Sequence, residues 1–185
     1  MLAELTEAVE ARHPWTLGHA HRVAGLAVAA ARTLGWSDEA LGNIRAGSLL
    51  HDVGKLTVSA AILAKPGPLT ASELAEVRRH PAAGAVLVSS LPSVRRALPS
   101  ILHHHERWDG TGYPGRIAGE AIPAEARLIS IADAYDAMTS YRPYHSTLTI
   151  RQALEELARC AGTQFDPQIT HACIEAWSAR VRIAV

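Results

Sequence analysis

Apolar residues recur along most of this chain at three- and four-residue spacing, which gathers them on one face of an α-helix, and no stretch alternates strictly enough to predict a strand. Leu2 to Arg12 has the helical period, and His13-Pro14 ends it because a residue before proline is pushed out of the helical region. Thr16 caps an Ala- and Val-rich helix from about Leu17, which Gly35 closes. Ser37 or Asp38 opens the next helix, which runs past Ile44 and Leu50 to His51-Asp52 and stops at Gly54. After the rigid turn Lys65-Pro66-Gly67-Pro68-Leu69, Thr70 and Glu73 have capping-box spacing for a helix ending near His80-Pro81, and Pro81 starts another. Pro92 and Pro99 punctuate the path to a helix carrying His104 and His105. Glycines and prolines from Trp108 to Pro123 predict a long irregular loop. A helix from about Ala124 to Ser140 carries Asp133, Thr149 with Gln152 caps a further one, and Asp166-Pro167 opens the last. The expected fold is all-α, a single-domain bundle of about eight helices over residues 1–185.

Composition narrows the partners. The 185 residues are 48% hydrophobic, enough for one real core. Lys and Arg total 18 and Asp and Glu total 18, so no basic surplus points to polymeric nucleic acid. Glu4, Glu7 and Glu10 near the N-terminus do not fit a secretion signal, and Val23 to Ala31 is far shorter than the roughly 20 apolar residues a bilayer demands. The expectation is a soluble, cytoplasmic chain with no membrane partner. Cys160 and Cys173 lack metal-binding spacing and read as reduced structural residues.

The chemistry concentrates in two runs. His51-Asp52-Val53-Gly54-Lys55 and His104-His105-Glu106-Arg107-Trp108-Asp109-Gly110-Thr111-Gly112-Tyr113-Pro114 offer the mixed nitrogen and oxygen donors of hydrolytic metal centres. Neighbours on a helix project about 100° apart, so His51 and Asp52 serve one centre only if the carboxylate bridges two ions. Taken alone, that pair fits a helix-ending turn equally well, and His104-His105 fits a solvated face better. Asp133 is embedded in the apolar run Leu128-Ile129-Ser130-Ile131-Ala132, where an unpaired carboxylate costs several kcal/mol, so a cation or strong donors are expected beside it. Asp136 lies one turn on, as a supporting group or a surface acid. His19 reads alone as a cap-region residue, His80 is pre-oriented by Pro81, and Lys55 is solvated or reaches an anion at the metals.

Together these stretches resemble the HD-GYP domain, a subgroup of the HD superfamily of metal-dependent phosphohydrolases. The match also takes in Thr16-Leu17-Gly18-His19 with Arg22-Val23, Ile62 to Thr70, Ile131 to Ser140 and Arg142-Pro143-Tyr144, so it covers nearly the whole chain in order. It implies an HD-like helical bundle, two divalent ions, iron or manganese, and hydrolysis of cyclic di-GMP to the linear dinucleotide pGpG or to GMP. It also implies that His51, Asp52 and Asp133 hold one ion and His80, His104 and His105 the other, with Asp52 bridging and His19 at the edge. Two ions about 3.5 to 4 Å apart would share an activated hydroxide that attacks the phosphodiester. Lys55 would stabilise phosphoryl charge, Arg142 fix a phosphate oxygen, and Tyr113 and His145 lie on the substrate side.

Three departures from the family pattern qualify this expectation. Trp15 stands where a carboxylate would serve a third metal, so two ions are expected. His13 replaces an acid near the guanine pocket, and His145 replaces a Lys or Arg that grips phosphate. The rival readings are a regulatory module that binds cyclic di-GMP or docks a signalling protein through the Gly-Tyr-Pro loop, and hydrolysis of another nucleotide. The oligomeric state stays open, a homodimer included.

Overall fold

A computed structural model of the chain describes residues 2–12, 16–141 and 146–183. His13, Trp15, Arg142 and His145, to which the sequence assigns substrate contacts or family departures, lie outside them, as do Pro143 and Tyr144 of the family match.

The helices follow one another as α1 (Leu2–Arg12), α2 (His19–Thr33), α3 (Asp38–Leu50), α4 (Ala60–Leu63), α5 (Ala71–Val77), α6 (His80–Val88), α7 (Leu98–His103), α8 (Ala124–Thr139), α9 (Ile150–Cys160) and α10 (Pro167–Ile183). Among the described residues, 3-10 turns lie between them at Val53–Thr57, Pro92–Ala97 and Gly119–Ala121. Short pieces such as the four-residue α4 and six-residue α7 raise the number above the eight expected. Among the described residues the sole β-type pairing is an isolated bridge from Ala161 to Phe165, as the lack of alternation predicts. No described helix is long and apolar enough to cross a membrane.

Capping residues set several starts as expected. Ser37 Oγ accepts the Ala40 N–H, and Thr70 with Glu73 and Thr149 with Gln152 form reciprocal capping boxes. Asp166 Oδ1 accepts the N–H groups of Gln168 and Ile169 ahead of α10. Two boundaries differ. Thr16 does not cap α2; Gly18 does, in the left-handed conformation at φ 71°, and the buried Glu10 carboxylate takes the N–H groups of Gly18 and Ala20. α3 ends at Leu50, before His51 and Asp52, so Gly54 does not terminate it. Gly54 is needed for close approach instead: a Cβ there would stand 1.9 Å from the His80 carbonyl oxygen and 2.5 Å from Gly84 N.

Two apolar clusters form the core. In the larger, the small buried face of α2 (Val23, Ala27, Ala30, Ala31) meets Ile44 of α3, Leu128, Ile129 and Ile131 of α8, Leu157 of α9 and Trp177 of α10. The smaller joins Val9, Leu50, Val53, Val88, Val94 and Ile101. α3 serves both, with Ile44 in one and Leu50 in the other, and the residues after Leu50 therefore emerge where the clusters adjoin.

Candidate metal centre

At that junction seven side chains converge in two groups. Asp52, His80, His104 and His105 offer one ligand atom each within 4.8 Å of one another, as do His19, His51 and Asp133. The centre thus draws on every candidate ligand of the sequence, and it places His19 inside a group rather than at the edge. The steric objection to adjacent ligands disappears, since helices α3 and α7 end at Leu50 and His103 and both pairs lie in turns.

Three of the imidazoles are oriented alike. Nδ1 of His51 donates to the Ser48 carbonyl at 2.7 Å, that of His80 to Val77 at 2.8 Å, and that of His104 to Ile101 at 2.8 Å. A carbonyl only accepts, so each Nδ1 carries hydrogen and each ring turns its Nε2 inward, where the neutral form of an imidazole has its lone pair. His80 and His104 Nε2 then face each other at 3.2 Å, and Asp52 Oδ1 lies 3.3 Å from His80 Nε2. Asp52 Oδ2 is 3.5 Å from His51 Nε2, a buried atom with no hydrogen-bond partner. Lone pairs and a carboxylate pointed at one another repel unless a cation lies among them, so this donor set fits divalent metal. Imidazole beside carboxylate oxygen suits iron, manganese or zinc, whereas no described thiol joins either group.

Electrostatics prepares the groups for that role. Burial pushes His80 down to about 3 and His105 to about 4, and burial with neighbouring imidazoles holds His104 well below its usual value. Burial opposes ionisation of Asp52, but Lys55, His51 and His80 hold its carboxyl well below the usual range. Lys55 Nζ donates to Asp52 Oδ2 at 2.6 Å. His19 differs: burial pulls it down, yet its bonds to Asp133 and Asp136 prevail and raise it to about 9. Its Nε2 is 3.2 Å from Asp133 Oδ1, and its Nδ1 is 2.7 Å from Asp136 Oδ2.

Several supporting residues were not assigned from sequence. Arg22 clamps Asp136 through Nε at 2.6 Å and Nη2 at 3.1 Å, fixing the carboxylate that orients His19. Asp136 is buried, which resolves its open assignment against a surface position. The signal was there in spacing: Arg22 is three residues past His19, and Asp136 three past Asp133. Glu10 gave none, since an acid in an amphipathic helix looks the same on a surface.

The loop 108–123 is irregular as expected, apart from one 3-10 turn, and folds back onto the centre. Tyr113 N–H donates to the His105 carbonyl at 3.2 Å, Gly115 N–H donates to the buried Glu106 Oε1, and Gly112 has no room for a Cβ, which would meet Arg107 N at 2.4 Å. The Tyr113 ring consequently stacks on His105 with centroids 4.8 Å apart. A groove of about 570 Å³ between α9 and α10, lined by Ile150, Leu154 and Ile174, carries none of the candidate ligands.

Comparison with known proteins adds the following. Residues 4–169 match the HD domain family. The chain is 38% identical over 177 residues to a cyclic di-GMP phosphodiesterase response regulator of Xanthomonas campestris pv. campestris, covering 95% of this chain and 46% of that protein. It is 35% identical over 187 residues to 3'3'-cGAMP-specific phosphodiesterase 2 of Vibrio cholerae, covering 99% of this chain and 35% of that one. The chain thus spans less than half the length of these curated relatives. Among solved structures, the fold resembles a cyclic GMP-AMP specific phosphodiesterase of V. cholerae, with TM-score 0.72 at 22% identity over 98% of this chain and 48% of the other. It also resembles an HD-GYP-type protein of Bdellovibrio bacteriovorus, with TM-score 0.68 at 22% identity over 86% of this chain and 51% of the other.

Proposed function

The chain belongs to the HD domain family, and we propose that it is a metal-dependent phosphodiesterase that hydrolyses cyclic di-GMP to pGpG or GMP. Residues 1–185 are taken as one phosphohydrolase domain, a reading supported by the family match over 4–169. The observation that carries the proposal is the convergence of the Nε2 atoms of His51, His80 and His104 on the Asp52 carboxylate.

In this reading Asp52, His80, His104 and His105 would hold one ion and His51, Asp133 and His19 a second, iron or manganese, with Asp52 placed to serve both. Such ions, when bound, polarise a phosphodiester and lower the pKa of a water. The chain's own residues do the rest. Carbonyls of Ser48, Val77 and Ile101 keep the ligand tautomers fixed through the reaction, and Arg22 with Asp136 keeps His19 turned inward. Lys55 Nζ, beside Asp52, is within reach of negative charge growing on the phosphoryl oxygens. Tyr113, stacked on His105, walls the substrate side and shields the centre from water. Arg142 and His145 are assigned to phosphate binding on sequence alone.

The test is turnover of cyclic di-GMP after anaerobic reconstitution with Fe(II) or Mn(II), with metal content measured on the same sample. Activity with about two ions per chain is expected; bound metal without turnover would instead favour the regulatory module, docking a signalling protein at the Gly-Tyr-Pro loop. A second substrate reading has its own support, since relatives named 3'3'-cGAMP-specific are 35% and 39% identical to this chain. Competition between the two cyclic dinucleotides in one assay ranks them.

A further inference from the structure

Arg78 is the C-cap residue of α5 and stands two positions before His80. Its guanidinium carbon lies 5.4 Å from the centroid of the Tyr113 ring, in cation–π range. The His105 imidazole is stacked on that same ring with centroids 4.8 Å apart and planes 23° apart, so Tyr113 links the guanidinium to a candidate metal ligand.

What the Tyr113 ring does for Arg78 is steady a charged fork. Arg78 is exposed, and among the described residues it forms no ion pair, so its N–H edge is available to a ligand. A guanidinium presents parallel donors that match a phosphate oxygen pair. Its anchor stacks directly on a candidate ligand, so it stands beside the metal centre without belonging to it. A cyclic dinucleotide carries two phosphodiesters, and only one can lie at the metals at a time.

We infer that Arg78 is a substrate-binding residue that grips the phosphate not undergoing cleavage, with Tyr113 as its positioning residue. The inference rests on the cyclic-dinucleotide reading above. It makes the Arg78–Tyr113 pair a device that favours substrates with a second phosphate over simple diesters.

The experiment compares the metal-loaded wild type with Arg78→Ala, Arg78→Lys, Tyr113→Leu and the Arg78→Ala/Tyr113→Leu double variant, on cyclic di-GMP and on bis(p-nitrophenyl) phosphate, which has one phosphodiester. Arg78→Ala is expected to lower kcat/KM for cyclic di-GMP roughly tenfold more than for the simple diester, chiefly through KM. Arg78→Lys falls between, because it restores charge without the fork. Tyr113→Leu reproduces the selective loss, and the double variant is no worse than Arg78→Ala. Equal losses on both substrates, or additive losses in the double variant, overturn the inference. A selective loss seen with cyclic di-GMP and absent with cyclic di-AMP assigns Arg78 to the guanine edge and overturns the phosphate role. A wild type that cleaves the simple diester but not cyclic di-GMP overturns the substrate reading itself, which is a separate result.

Discussion

Asp52 faces both groups of candidate ligands, one oxygen toward His80 and the other toward His51, and Lys55 neutralises part of its charge. Asp52→Ala is expected to release metal and reduce turnover by at least about a thousandfold, since it removes the carboxylate that faces both groups of candidate ligands; metal analysis and cyclic di-GMP hydrolysis check both. The imidazoles should give the metal-free protein a bell-shaped dependence of stability on pH. His80 and His105 stay neutral down to about 3 and 4, so below the usual 6.5 the unfolded chain binds more protons, and stability rises with pH toward neutrality. His19, raised to about 9, contributes stability that is complete below 6.5 and is lost as pH climbs through about 9. Thermal unfolding in chelator should therefore peak near neutral pH, and His19→Gln should flatten the alkaline limb; an unchanged limb would reject the charged His19. The candidate ligands were legible because each sits in a motif of several residues. Glu10, Arg22 and Arg78 were not, because their roles depend on what lies opposite them after folding.

At the scale of elements, helix starts were easier to read than helix ends. Thr70, Thr149 and Asp166 announce their caps locally, since the side chain that satisfies the free N–H groups is only two or three residues away. The end of α3 carries no such mark, and Gly54 invited the wrong explanation because its constraint comes from α6, thirty residues on. Gly54→Ala should force the Val53–Thr57 turn away from His80, lower stability by about 1 to 3 kcal/mol and weaken metal retention. Thr70→Ala should cost about 0.5 to 2 kcal/mol by loss of a cap alone and leave metal content intact. Chemical denaturation with parallel metal analysis separates the two cases; equal metal content in both variants would deny Gly54 its positioning role.

Over the whole molecule, the candidate ligands span residues 19 to 133 and are carried by α2, α6, α8 and the turns after α3 and α7. Metal should therefore act as a cross-link among these elements, raising Tm with free ion concentration and lowering it on chelation; a Tm indifferent to Mn(II) would mean that the groups hold no ion. The all-α class was legible from periodicity alone, but the meeting of two apolar clusters at His51 was not, because periodicity tells which face is buried and never against what. The three histidine locks are made to main-chain oxygens at positions 48, 77 and 101, atoms that every amino acid supplies. The tautomers are thus fixed by the path of the main chain and not by the identity of these side chains, although Ile101 must still fill the smaller apolar cluster.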